Sequence, residues 1–306
     1  MEEQFEDACL SNNLELVKTL EIITPYELDE IFIKVCKLGY LDMAKWLHKN
    51  GANITARGNM AFIDTCWKGQ FDVAQWIYSE LVKIFNTTDE GFIKILGYAF
   101  FHTCLGGNLI ILQWLYSLDV DLSEHMDLIF IEACLNGYFD IAQWIHNSGA
   151  TYDKTLALIQ TCARGHLDMS DWLYNLGADI SHPDVYIYAC LNGQLHILQW
   201  LYSLGVNISG HEAFNNACYS KNIETVKWLI ENPYKSSSFI QLDSYANFKL
   251  EIKNLLIDHN LVHPRQLEGD DLTYYLARTE NLVPSDFDYP GTTKRGKHTK
   301  SALRNV

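Results

Sequence analysis

No run of eighteen apolar residues occurs in this 306-residue chain, so nothing in it is expected to span a membrane. The sequence opens MEEQFEDACL, without the basic and then apolar regions of a secretory signal, and an intracellular, cytoplasmic protein is expected. Basic side chains are in the minority. The 23 Lys and Arg stand against 38 Asp and Glu, a net charge of −15, and an acidic body does not suit duplex nucleic acid. There is no C-x-x-C, H-E-x-x-H, GxxxxGKS loop or nucleophile elbow. The common signatures of metal, nucleotide and hydrolase chemistry are therefore missing, and neither a cofactor nor a metal site is expected.

What is present is a repeat. The eight cysteines are Cys9, Cys36, Cys66, Cys104, Cys134, Cys162, Cys190 and Cys218, at steps of 27, 30, 38, 30, 28, 28 and 28 residues. Ten residues after each of the last seven comes a tryptophan: Trp46, Trp76, Trp114, Trp144, Trp172, Trp200 and Trp228. Four residues before each cysteine stand Phe5, Phe32, Phe62, Phe100, Phe130, Leu158, Tyr186 and Phe214. A fixed offset repeated this often defines an array.

One unit, Asp127–Gly149, reads as two short helices. Phe130, Ala133 and Cys134 share one face of the first helix, Gly137 closes it, and Phe139–Ser148 forms the second around Ile141, Ala142 and Ile145. Glu15, Asp42, Asp72, Asp140, Asp168 and Glu224 recur in the first turn of the second helices, where carboxylates suit the helix dipole. All six prolines fall outside the proposed helix interiors. Each unit supplies one cysteine, and stacked helices lie roughly 8–10 Å apart, too far for a disulfide. The thiols therefore read as small buried hydrophobes.

The expected layout is a repeat array over 1–263, a helical cap over 264–282 and a basic, disordered tail over 283–306 carrying Lys294, Arg295, Lys297, Lys300 and Arg304. The first unit has Thr19 in the tryptophan place and Asn12 in the glycine place, as suits a capping repeat. Thr24-Pro25-Tyr26-Glu27 predicts a capping box. An insertion near 80–97 predicts a lengthened second helix, from the spacing of Leu81, Ile84 and Phe85, and a loop over 86–90. A degenerate ninth unit places Tyr245 in the cysteine position and Leu255 in the tryptophan position.

Gly165-His166-Leu167-Asp168, with Trp172-Leu173-Tyr174 and Gly177-Ala178-Asp179-Ile180, resembles the ankyrin repeat, with cysteine in place of the second alanine of its A-A pair. The T-P-L-H motif is absent and the period is shorter than that of the family, so a short turn replaces the long hairpin finger. The tryptophan-bearing variant is similar to divergent ankyrin proteins encoded by giant DNA viruses and some amoebal hosts. The expected fold is an all-α, ankyrin-like solenoid of nine helix-turn-helix units. The expected function is non-catalytic binding of a partner protein on the concave surface, such as a host protein in an infected cell. A monomer is expected.

The core leaves one face of each first helix open. Two residues before each cysteine, that face offers Lys34, Asp64, His102, Glu132, Gln160, Tyr188 and Asn216 as contacts. Trp67, out of the tryptophan register, is an eighth candidate. The alternative is an adaptor whose C-terminal segment recruits cellular machinery such as a ubiquitin ligase. The basic tail would suit a nuclear-localisation segment.

Overall fold

The computed structural model describes residues 2–20, 24–118, 121–208, 211–232, 248–259, 261–262, 267 and 271. Among these there are seventeen α-helices and no strand. In chain order they are α1 Glu2–Leu10, α2 Leu14–Val17, α3 Pro25–Leu38, α4 Leu41–Lys49, α5 Ala56–Trp67, α6 Phe71–Ile84, α7 Glu90–Leu105, α8 Leu109–Tyr116 and α9 Met126–Asn136. There follow α10 Phe139–Asn147, α11 Lys154–Arg164, α12 Leu167–Asn175, α13 Pro183–Leu191, α14 Leu195–Ser203, α15 His211–Tyr219, α16 Ile223–Glu231 and α17 Leu250–Asp258. No described helix is long and apolar enough to cross a membrane. Two compact units divide the chain, 1–157 and 158–306. In the first, α1, α3, α5, α7 and α9 pack in succession. In the second, α13 packs on α15 and α14 on α16.

Each helix pair turns at the third residue after its cysteine, in the left-handed region: Asn12, Gly39, Gly69, Gly107, Gly137, Gly165, Gly193 and Lys221 all have positive φ. At Gly137 the turn is closed by two backbone bonds, Gly137 N to Cys134 O at 3.3 Å and Tyr138 N to Ala133 O at 2.8 Å, which satisfy helix-end carbonyls. The next residue's side chain crosses to the preceding repeat. Asn108 Nδ2 donates to Trp67 O at 2.7 Å, Tyr138 Oη to Leu105 O at 3.3 Å, Gln194 Nε2 to Ala163 O at 3.3 Å and Asn222 Nδ2 to Gly193 O at 2.9 Å. Gly106, the extra glycine of its repeat, lies on the Trp67 carbonyl, which a Cβ would meet at 1.9 Å.

The aromatic positions also join one repeat to the next. Trp76 lies 6.2 Å from the Phe32 ring and 6.0 Å from His48; Trp114 lies 6.5 Å from Phe62 and 5.6 Å from Tyr78. Tyr116 meets Trp144 edge-on at 5.3 Å, and in the second unit Tyr174 meets Trp200 and Tyr202 meets Trp228 at 6.2 and 5.6 Å. These rings come from the repeat before the tryptophan. All eight tryptophans are half-buried, Trp67 included. In the first repeat the place is held by exposed Thr19.

The capping box forms: the Thr24 N–H and hydroxyl donate to Glu27 Oε2 at 3.2 and 2.6 Å. The predicted first-turn carboxylates sit in the first turns of α2, α4, α6, α10, α12 and α16. Two details differ from expectation. In the lengthened α6, Leu81 is buried but Ile84 is 56% exposed, because the helix ends there and Phe85 turns away to stack on Phe92 at 5.7 Å. The start of α5 is irregular, with φ of 50°, 69° and 68° at Arg57, Gly58 and Asn59. Regular helix therefore begins at Met60. Tyr245 and the tail fall outside the described residues. So does the expected cap except at Leu267, which is buried, and Asp271, whose carboxylate takes Lys253 Nζ at 3.0 Å.

All eight thiols are free and buried. Burial, with a contribution from Glu6, pushes Cys9 up to about 12. Burial likewise pushes Cys190 up to about 12 and, with a smaller contribution from Cys190, Cys218 to about 12. It raises Cys36 and Cys66 as well.

Two outcomes follow from this packing. Trp114→Ala removes a ring that three aromatic residues contact (Phe62, Phe71 and Tyr78). It should destabilise the chain by about 3 kcal/mol, the low end for a large aromatic because one edge already meets water. A double-mutant cycle with Tyr78→Leu should return a coupling of about 0.5–1.5 kcal/mol in chemical denaturation; additive losses would deny the ring contact. The thiols set an alkaline limit. Their folded pKa values lie above the ordinary 9.0, so their contribution is complete below about pH 9 and is lost as pH rises towards 12. The unfolded chain binds fewer protons there, at a cost of about 1.4 kcal/mol per pH unit per thiol. Circular dichroism should show helicity being lost as the pH is raised from 9 towards 12, and a chain as stable to denaturant at pH 11 as at pH 8 would contradict the burial.

Candidate functional site

At 100° per residue, the positions four, one and zero residues before the cysteine of a first helix point into the core, and those six and two before it, and one after it, point away. The outward positions include the predicted contacts. In the first unit Lys34 is exposed, while Asp64, Trp67, His102 and Glu132 are half-buried on the successive helices α3, α5, α7 and α9. In the second unit Tyr188 is 43% exposed, and Gln160 and Asn216 are half-buried.

The first-unit residues divide by their partners. Lys34 Nζ is 2.5 Å from Glu6 Oε1, and Asp64 Oδ2 is 3.1 Å from Lys37 Nζ. Lys37 and Lys68 hold their ammonium nitrogens 4.8 and 4.2 Å from the Trp67 ring centroid, a cation–π arrangement. Trp67, expected as a lone exposed aromatic, is thus half-buried with both lysines against it. His102 and Glu132 are different. Neither side chain makes a hydrogen bond or ion pair with any described residue. The nearest described effect of Glu132 is electrostatic: burial first and this carboxylate second raise the Cys104 thiol to about 12.

Six residues before the cysteine is a second outward column, distinct from the polar one. It reads Glu3, Glu30, Met60, Tyr98, Leu128, Leu156, Asp184 and Glu212. Its four apolar members lie together in the first unit, 42%, 62%, 49% and 39% exposed. Half-buried Phe101 and Ile131 lie beside Tyr98 and Leu128. The register that located the cysteines would have found this column, had each outward position been read for apolar type. Glu30, the last acidic residue before it, is tied to Arg57 Nε at 2.5 Å, and Arg57 also donates to Tyr26 Oη at 3.1 Å.

The polar groups elsewhere serve structure. His48 Nδ1 lies 2.9 Å from Ala52 O, His146 Nδ1 2.6 Å from Tyr152 Oη and His196 Nε2 2.8 Å from Gly165 O. Asp121 and Asp179 are held below the usual carboxylate range by bonds from Ser123 and Ser181. Glu90 is lowered by its hydrogen bond from Lys94. Among the described residues no group of three or more His, Cys, Asp and Glu side chains is placed to hold a metal. A shallow depression at the N-terminal end is lined by Glu3, Gln4, Asp7, Ala8, Ser11 and Leu16, the open flank of the first repeat.

Residues 158–241 match the family model described as ankyrin repeats (3 copies). The crystal structure of the human ASB11 ankyrin repeat domain is similar at 13% identity and a TM-score of 0.30, over 83% of this chain and 99% of that one. No curated protein matches. Residues 158–241 are thus matched as ankyrin repeats, and the helix pairs that precede them carry the same cysteine, left-handed turn and tryptophan register.

Proposed function

We propose that the chain is a non-catalytic scaffold that binds a partner protein on the outward face of its first helices. Ankyrin repeats are in general protein–protein interaction modules. The observation that carries the reading to a particular face is the column Met60, Tyr98, Leu128 and Leu156. Four successive repeats spend an outward, solvent-exposed position on a large apolar side chain, although nothing in the packing of the helices behind it requires one. Exposed apolar side chains on the successively packed helices α5, α7 and α9 are of the kind that mark interaction sites, and tyrosine is enriched where binding energy concentrates. The partner-binding residues of this reading are those four together with His102 and Glu132. Lys34, Asp64 and Trp67 shape its edge while holding their internal pairs. The resemblance to viral ankyrin proteins extends the proposal to a host protein as the partner.

The test compares full-length chains in affinity capture with quantitative mass spectrometry. Tyr98→Ser with Leu128→Ser should lose partners that the parent chain retains, by about thirtyfold, the scale of a single strong interface residue. Ile110→Ser is the control: that residue is 70% exposed on the second helix α8, and its variant should capture like the parent. Exposed substitutions move stability by less than about 0.5 kcal/mol each, so both variants should melt with the parent. Full capture by a folded Tyr98→Ser/Leu128→Ser chain would remove the first-helix face from consideration.

A further inference from the structure

We propose that the partner presents an amphipathic peptide segment to α7 and α9, its apolar side chains over Tyr98 and Leu128 and a lysine or arginine seated against Glu132. The inference rests on the first-helix face being the binding surface and adds the chemistry of what binds there.

Glu132 carries the argument. In the second and third repeats the charge at the same position is already matched, Lys34 by Glu6 and Asp64 by Lys37. Glu132 is half-buried on α9, and its carboxylate has no hydrogen-bond or ion-pair partner among the described residues. Leu128 lies one turn back on its own helix, and the adjoining α7 carries Tyr98, Phe101 and, at the position equivalent to Glu132, His102. In the free protein, water solvates that carboxylate. A partner laid over Tyr98 and Leu128 would displace the water, and a carboxylate covered by apolar groups is strongly disfavoured unless a cation reaches it. An apolar partner without a basic side chain is therefore selected against, and one with an acidic side chain more so. The larger field acts in the same direction. Residues 1–157 contain 22 acidic and 10 basic side chains, which draws basic segments toward the unit and repels phosphate-bearing ones.

The probe is a phage-displayed library of random linear peptides selected on the full-length chain. Enriched sequences should combine apolar residues with lysine or arginine. A synthetic copy of the strongest should bind at least about tenfold more weakly to Tyr98→Glu, to Leu128→Glu and to Glu132→Gln, the scale of losing a charged hydrogen-bond partner. Selection on Glu132→Lys should enrich aspartate or glutamate instead. Every variant is checked by circular dichroism and thermal melting, and if Glu132→Lys unfolds early, Glu132→Gln should still lose the preference for basic peptides. Peptides that need Tyr98 and Leu128 but show no basic preference would overturn the assigned chemistry while leaving the face as a binding surface. Peptides indifferent to Tyr98→Glu and Leu128→Glu would overturn both. A library from which nothing is enriched would also overturn the assignment of a peptide segment.

Discussion

Two short helices joined by a tight turn leave their end carbonyls facing inward, and every repeat must satisfy them. The left-handed residue after each first helix reverses the chain so that two backbone N–H groups fold back onto those carbonyls. A side chain from the following repeat then reaches further carbonyls: Asn108 on Trp67 O, Tyr138 on Leu105 O. The turn and the bond across it fix the distance from one helix pair to the next, and with it which residues face the core. That is why Lys221 can hold the position at φ 63° where six other repeats use glycine: the conformation is dictated by the carbonyls, and the residue type adjusts to it. The ten additional residues near 80–97 are tolerated because they lengthen helices on either side of a loop and leave both neighbouring turns intact.

Much of the fold was legible in the sequence because its determinants are periodic. One buried thiol and one left-handed turn per repeat, with a tryptophan in all but the first, recur at fixed offsets in the structure as in the sequence. What resisted reading depends on contacts between positions that no period links. Ile84 follows the helical apolar pattern and still lies in water, because the helix stops there and Phe85 finds Phe92. Trp67 reads as an isolated surface aromatic until Lys37, a full repeat earlier, is seen above its ring.

The candidate face shows the same division. Its outward geometry follows from helical spacing alone: Lys34 is exposed, and Asp64, His102 and Glu132 are half-buried. Which of them retain unsatisfied charge does not follow, since Glu6 and Lys37 come from other helices. The apolar column was accessible in principle. It escaped attention because apolar residues inside an amphipathic helix are ordinarily assigned to the core, and Tyr98 and Leu128 are displaced from the buried face by only two and one positions from Phe100 and Ile129.

The rings that meet Trp46, Trp76, Trp114, Trp144, Trp200 and Trp228 come from the repeat before each of them, and this gives the array a direction of growth. A duplicated repeat added at the C-terminal side would find Phe- and Tyr-type rings already waiting for its tryptophan. One added at the N-terminal side would bring a tryptophan with nothing beneath it, and would need a residue such as Thr19 in its place. Loss of repeats is equally one-sided: trimming from the C-terminal end leaves Trp76, Trp114 and Trp144 with their partners, whereas removing the first repeat strips Phe5 from Trp46.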